Sequence, residues 1–309
     1  MFDTIVCLNV NPDAYAPTRF KEETQKMGLN FISLNIPNLL IEIDKNNLNL
    51  YADNKKIDLK KSAFIIRSLS IQGQSDTHFF KSFINFLVLH EVRILNKNSI
   101  LSMFFQDKLS QNIFYAKNGL ASPRPSVFSG NSKTIINYDF NYPIIAKPKV
   151  GSHGRGIIKI DSQQDLVGFV EKEEVSQYIF QKYIKADFDI RAFVCPFGII
   201  GAMKRQGKKG FIHNVSQGAK TEIIELDQEA EKICLDLQKI TKSDIIGVDL
   251  IFNEDDQQYY TLEADYSNQF TGFEQATKFN MARLQLDLLL EKDINLDSND
   301  YQFKSAKQD

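Results

Sequence analysis

Tryptophan is missing from this chain, and cysteine is confined to three distant positions, Cys7, Cys195 and Cys234. No C-x-x-C or Cys/His spacing accompanies them, which leaves neither a disulfide framework nor a zinc site. The four histidines, His78, His90, His153 and His213, lack metal-ligand spacing too. Met1-Phe-Asp-Thr-Ile-Val-Cys-Leu8 has no basic n-region and no cleavage site, so it does not read as a signal peptide. The longest apolar run, near Phe83 to Leu89, is too short to span a bilayer. Neither sign of charge is in excess: the net value of -2 argues against nucleic-acid binding by electrostatics alone. These absences predict a cytoplasmic protein with no membrane and no nucleic-acid partner. Repeats and low-complexity tracts are also absent.

What remains is an ordinary globular composition, 43% hydrophobic and 25% charged, and the 309 residues suffice for two or three packed subdomains. Residues 1–95 read as an open α/β unit. Thr4–Leu8, Phe31–Leu34 and Ser62–Arg67 are strand segments, and the last delivers Arg67 at its end. Thr18–Met27 has helical spacing and stops at Gly28, a C-cap residue. His78–His90 reads as a helix with an apolar face. Residues 96–180 form a second unit, with a helix or broken helix pair over Asn98–Asn118 ended by Gly119. An extended Ser122-Pro-Arg-Pro125 link and a strand from Tyr142 to Pro148 follow. Residues 181–300 form a third unit: a hairpin of Ile190–Val194 and Ile199–Lys204, a basic loop Lys204–Gly210, an amphipathic helix Asp227–Thr241, two acidic strands, and a last helix from Thr277 to Leu290. A loose polar tail, 301–309, ends the chain.

The chemistry concentrates in Ile246-Gly-Val-Asp249 and Thr261-Leu-Glu263-Ala-Asp265. Strand positions i and i+2 share a face, so two neighbouring strands aim three carboxylates at one point. Crowded carboxylates imply a cation, and oxygen-only ligands suit Mg2+ or Mn2+. Such a cation completes its shell with phosphate oxygens, which makes a nucleotide-phosphate site the first expectation. Lys147 ends a strand just before Gly151-Ser152-His153-Gly154-Arg155-Gly156, whose glycines let backbone N–H groups approach phosphate closely. This is not a Walker loop, because the GK[ST] ending is missing, and strand rather than helix follows, unlike a dinucleotide fingerprint. Taken alone, the glycine turn is equally a plain β-turn, and the basic run at Lys204 a solvated loop.

The order Lys108, Lys147 with its glycine loop, Gln181-Lys-Tyr-Ile184, Asp189-Ile-Arg191, Lys204-Arg205, Asn214, Asp249 and Glu263-Ala-Asp265 resembles the ATP-grasp superfamily. Within it, the chain is most similar to the RimK-like carboxylate–amine (glutamate-type) ligases. Gly272-Phe-Glu274-Gln-Ala-Thr277 resembles the stretch after that family's metal motif. The resemblance is strong over about 95–285 and loose before it. It implies an α/β protein, α+β in its ATP-binding part, with the ATP-grasp fold of three subdomains and the nucleotide between the central and C-terminal ones. The implied cofactors are ATP and Mg2+ or Mn2+. Lys108 and Lys147 would contact the phosphates, under a lid formed by Gly151, Ser152, Gly154 and Gly156. Gln181, Lys182, Tyr183 and Ile184 would follow the adenine edge, with Asp189 on the ribose side and Lys204 also on the nucleotide. Arg205, Asn214 and Arg191 would be catalytic, Asp249, Glu263 and Asp265 would hold the metal, and Arg67, Arg191 and Ser267 would hold the substrate.

The chain departs from the family at Asp265 (usually Asn), Ser267-Asn-Gln269 (usually Ser-Pro-Gly), Ile212 (usually Arg) and Lys204 (usually an acid). The substrate side therefore differs more than the nucleotide side. The implied activity is ADP-forming ligation of a carboxylate to an amine through an acylphosphate. Its substrate would be an amino acid, a peptide or a protein terminus, and the enzyme a possible homo-oligomer. The alternatives are a peptide macrocyclase making lactams or lactones, and a nucleotide-binding module without turnover.

Overall fold

A computed structural model describes residues 1–302 apart from 46, 68–69, 72–73, 76, 103–106, 152–153, 208–219 and 268. The chain divides into two compact units. One comprises Met1–Leu101, Lys242–Ile245 and Ser267–Asp309, the other Ser102–Thr241 and Ile246–Tyr266.

The first unit begins with β1 (Thr4–Leu8), α1 (Tyr15–Lys26) and β2 (Asn30–Leu34). In β1, Ile5, Val6, Cys7 and Leu8 are all fully buried, as a strand covered on both faces of a parallel sheet must be. Helix α1 starts three residues before the expected Thr18, because Pro17 is tolerated in a first turn. It stops as expected at Gly28, in the left-handed region at φ 72°. Residues 35–61, where the sequence indicated no element, hold an antiparallel sheet of β3 (Leu39–Asp44), β4 (Asn47–Ala52) and β5 (Lys55–Lys56). Then follow β6 (Ser62–Ile66), the short pair β7 (Ser70–Ile71) and β8 (Gln74–Ser75), α2 (Thr77–Leu89), β9 (Arg93–Ile94) and α3 (Lys97–Ser102). The main sheet has the order β2-β1-β6-β9 with all pairs parallel.

The second unit opens with α4 (Lys108–Lys117), so the helix expected over Asn98–Asn118 is a broken pair, restarted by Asp107, which caps the Ser110 N–H. After β10 (Ser126–Val127) and α5 (Ser132–Ile136) come β11 (Ile144–Pro148), β12 (Ile158–Ile160), α6 (Gln163–Val170) and β13 (Tyr178–Lys182). These strands form an antiparallel sheet of order β10-β13-β11-β12. A second antiparallel sheet joins β14 (Asp189–Cys195), β15 (Gly198–Gln206), β16 (Lys220–Ile224), β17 (Ile246–Asn253) and β18 (Gln258–Asp265), with α7 (Gln228–Thr241) packed on it. Its order, β16-β15-β14-β17-β18, leaves β18 at an edge. The run Lys204–Gln206 belongs to β15 and not to a loop.

The chain then returns to the first unit. The expected helix Thr277–Leu290 is instead α8 (Thr271–Thr277) and α9 (Met281–Leu289), separated by Lys278 at φ 61° and restarted by Asn280, which caps the Arg283 N–H. Both helices belong to the unit of residues 1–101, whereas the sequence placed them with 181–300. The reason is a buried ion pair: Arg19 of α1 donates to Glu274 of α8 at 3.1 Å. The tail is not loose throughout either, since Tyr301 is buried and its carbonyl accepts from the Asn280 N–H at 2.6 Å. Among the described residues, no helix is long and apolar enough to cross a membrane.

Candidate active site

Strand alternation divides the five-stranded sheet into two faces. Ile190, Ala192, Val194, Ala202, Val248, Leu250 and Ala264 lie on one and build a core with Ala230, Cys234 and Leu237 of α7. The intervening positions point the other way, and cross-strand register brings their charges together. Asp189 pairs with Arg205, Arg191 with Asp249, Asp249 with Glu263, and Gly247 with Asp265. Groups of opposite and of like charge thus form one row across β15, β14, β17 and β18.

Both arginines bond to carboxylates of that row. Arg205 Nε and Nη2 donate to the two Asp189 oxygens at 2.6 and 2.8 Å, and Arg205 Nη2 also lies 3.0 Å from Asp249 Oδ2. Arg191 donates to both Asp249 oxygens, through Nε to Oδ1 and through Nη2 to Oδ2 at 2.7 Å. Burial alone would raise the Asp249 carboxyl, but the Arg191 and Arg205 guanidinium groups overcome it and hold the pKa down at about 2. Glu263 behaves oppositely. Burial pushes its pKa up, Lys108 pulls it back, and the neighbouring Asp249 and Asp265 push it further up. Among the described residues Lys108 Nζ is the nearest counter-charge, 3.6 Å from Glu263 Oε1.

Lys108 also fixes the glycine loop. Its N–H donates to Lys149 O at 2.9 Å and its Nζ to Gly151 O at 3.0 Å. At Gly156, φ is 73° and a Cβ would lie 2.9 Å from Pro148 Cγ, so only glycine fits this return into β12. Gly154 shares the left-handed conformation, at φ 70°. Lys147, on β11, has its pKa lowered to about 8 by burial and by Lys108, against the pull of Glu263 and Asp249. It is a cation at neutral pH that gives up its proton easily.

Other expected site residues have different surroundings. The Gln181 side chain turns into the protein, donating to Asn112 Oδ1 at 2.8 Å and Ser126 Oγ at 2.9 Å, so it ties β13 to α4 instead of facing a base. Lys182 Nζ lies 3.6 Å from Asp256, the Tyr183 N–H donates to Pro143 O at 3.3 Å, and Ile184 is buried. Lys204 leaves the group because it neighbours Arg205 in sequence and so takes the opposite face, with Nζ 4.1 Å from the Phe188 ring centroid. Asp189 is held by Arg205, which makes it a support for that guanidinium. Arg67 and Ser267 belong to the first unit, where Ser267 Oγ donates to Arg67 O and the Arg67 guanidinium lies 5.8 Å from the Phe270 ring centroid. Ser152 and Asn214 lie outside the described residues, as do Ile212 and Asn268.

Among the described residues, no three Asp, Glu, His or Cys side chains form a ready-made cation cage, so the expected convergence at one point is met only in part. The donor chemistry still suits a hard divalent cation. Glu263 and Asp265 offer oxygen only, share a face of one strand, and are crowded by like charge that a cation would relieve. Asp249 has both oxygens bound by guanidinium groups, two on Oδ2 and one on Oδ1, so Oδ1 is the atom with acceptor capacity left for a cation. Sequence reasoning missed Gln111 and Asn112, two buried amides of α4 that bond to β18 and β13. Their sole sequence signal was two amide side chains on the helix beginning at Lys108.

Residues 105–289 match the family model for the RimK-like ATP-grasp domain, and the chain belongs to that family. It is 27% identical over 305 residues to a probable alpha-L-glutamate ligase of Legionella pneumophila, covering 96% of this chain and 98% of that one. Its fold is that of the solved ATP-grasp ligases. The ligase PsnB, complexed with a phosphomimetic variant of a minimal precursor, Mg and ADP, superposes with a TM-score of 0.66 at 18% identity, covering 94% and 99% of the two chains. The macrocyclase MdnC bound to precursor peptide MdnA, from Microcystis aeruginosa MRC, gives 0.67 at 14% identity, covering 94% and 100%. The protein is therefore an ATP-grasp ligase, of the class that joins a carboxylate to an amine.

Proposed function

We propose that the protein uses ATP to convert a substrate carboxylate into an acylphosphate and passes the acyl group to the amine of an amino acid, a peptide or a protein terminus. The row Arg205–Asp189–Arg191–Asp249–Glu263, with Lys108 at its acidic end, carries this reading. In the first step a carboxylate oxygen bonds to the γ-phosphorus and the bond to ADP breaks. In the second, the amine nitrogen bonds to the acyl carbon, phosphate leaves, and the nitrogen loses a proton. Neither step needs a protein nucleophile; both need positioning and charge neutralisation. Lys108 and Lys147 would meet the phosphates as point charges, with the glycine loop lying over them to exclude water from the acylphosphate. The segment Lys182–Ile184 would run along the base. Arg191 and Arg205 would offset charge developing on the transferred group. Glu263 and Asp265, with a share from Asp249, would hold Mg2+, which supplies neutralisation of the β- and γ-phosphates.

The test is isotopic. With a carboxylate substrate labelled with 18O, one labelled oxygen is expected in the released phosphate, and ADP is the other product. Label retained wholly in the organic product, or release of AMP, would overturn the reading. The substrate-side departures at Ile212 and Gln269, and full-length likeness to ligases solved with precursor peptides, support a peptide as one substrate. Mass spectrometry separates the two outcomes, since intramolecular cyclisation loses water without adding an amine partner.

A further inference from the structure

Among the described residues β18 is an edge strand, so the N–H groups on its outer side have no neighbouring strand to bond. One of them, the Ala264 N–H, lies between Glu263 and Asp265 and donates to Gln111 Oε1 at 3.2 Å. The same oxygen accepts from the Tyr115 hydroxyl at 2.9 Å. Gln111 is 4% exposed and Tyr115 1%, so water does not compete for these bonds. The ladder on the inner side is itself interrupted here, with a register shift next to the Asp249–Glu263 pair. A strand with a bulge on one side and, on the other, no ladder but only the bond of the Thr261 N–H to Ala121 O at 2.8 Å and that of the Ala264 N–H to Gln111 does not by itself fix the direction of its side chains. Gln111 lies one turn along α4 from Lys108, whose ammonium faces Glu263. The helix therefore grips β18 twice, once through the Glu263 carboxylate and once through the peptide unit between the two acids.

We propose that Gln111 is a positioning residue for the cation site: its side-chain oxygen fixes the Ala264 peptide unit and thereby aims Glu263 and Asp265 at one ion. The inference rests on the reading that these two acids hold the divalent cation. Supporting groups outside the ligand set typically change metal affinity by about 10–100-fold when removed.

The experiment is Mn2+ titration of the full chain, with ADP and without, at a temperature well below unfolding, together with amide exchange at Ala264. Gln111→Met removes the acceptor and is expected to weaken Mn2+ binding by about tenfold and to speed exchange at Ala264. Gln111→Glu, which keeps an acceptor oxygen, and Phe114→Leu, which loosens the packing of α4 without touching the bonds at Ala264, are expected to bind Mn2+ nearly as the parent does. A Gln111→Met chain with parental Mn2+ affinity would overturn the inference, as would a Phe114→Leu chain that loses as much, since general loosening of α4 would then suffice. If the parent chain takes up no Mn2+ even with ADP, the assignment of the β18 acids fails, and this inference falls with it.

Discussion

Two buried arginine–carboxylate clusters, one in each unit, use the same chemistry to opposite ends. Around Glu274 both carboxylate oxygens have buried partners. Oε2 accepts from the Tyr15 hydroxyl at 2.6 Å and from Arg19 at 3.1 Å, Oε1 accepts from the Ala282 N–H at 3.1 Å, and the side chain has no exposed area. Around Asp249 the balance is not closed. Two guanidinium groups satisfy Asp249 itself, but Glu263 stands opposite it with one lysine at 3.6 Å and 37% of its side chain exposed. A carboxylate enclosed by its partners holds elements together. One that is partly exposed beside two other acids, as Glu263 is beside Asp249 and Asp265, is arranged for something that arrives later.

Substitution should separate the two clusters. The largest effect is expected from Glu263→Gln, which would cut turnover by about a thousandfold by removing charge placed for the reaction. The same change should raise the thermal midpoint. The folded chain disfavours the ionised carboxylate, so neutralising it relieves a cost present at neutral pH. Glu274→Gln should do the reverse, lowering stability by about 3 kcal/mol in urea titrations while turnover per folded molecule stays unchanged. A fall in turnover comparable to that of Glu263→Gln would erase the distinction.

Smaller effects sharpen it. Lys147 loses its proton near pH 8, well below the ordinary lysine range. ATP affinity is expected to fall by up to about tenfold per pH unit above that value, while this residue's contribution to stability improves from pH 8 towards the lysine range, where only the unfolded chain still binds the proton. Isothermal titration across pH 7 to about 9.5 checks this, and Lys147→Met should flatten the dependence. Gly156→Ala should cost the least, about 1–2 kcal/mol, because it demands a strained φ and a shift at Pro148. That cost should appear equally in the melting curve and in weaker ATP binding.

The acids and their strands were readable in the sequence, because period-2 alternation in Ile246–Asp249 and Thr261–Asp265 specifies which side chains share a face. Asp189-Ile-Arg191 was readable for the same reason. The capture of Asp249 by two arginines was not, since it depends on the register of β14, β15 and β17, which no local signal sets. Lys204 was misassigned because a basic run looks like a loop, whereas β15 continues through Gln206 and turns adjacent residues to opposite faces. The sheet at residues 39–56 escaped notice because much of it is exposed: Leu40 and Ile43 are 47% and 75% accessible and supply little core signal. The break at Lys278 was missed because a non-glycine residue adopts the left-handed turn there. Gln111 carried no local signature, since its role exists only relative to an edge strand more than a hundred residues away.

The row of charges on the five-stranded sheet has one more consequence. Arg205, Arg191 and Lys108 alternate with Asp189, Asp249 and Glu263, so at a distance their fields largely cancel. A polyanionic cosubstrate approaching such a surface is neither drawn in nor repelled until it is a few ångströms away. Its capture rate should then respond little to ionic strength, and discrimination among incoming anions is deferred to the moment of contact.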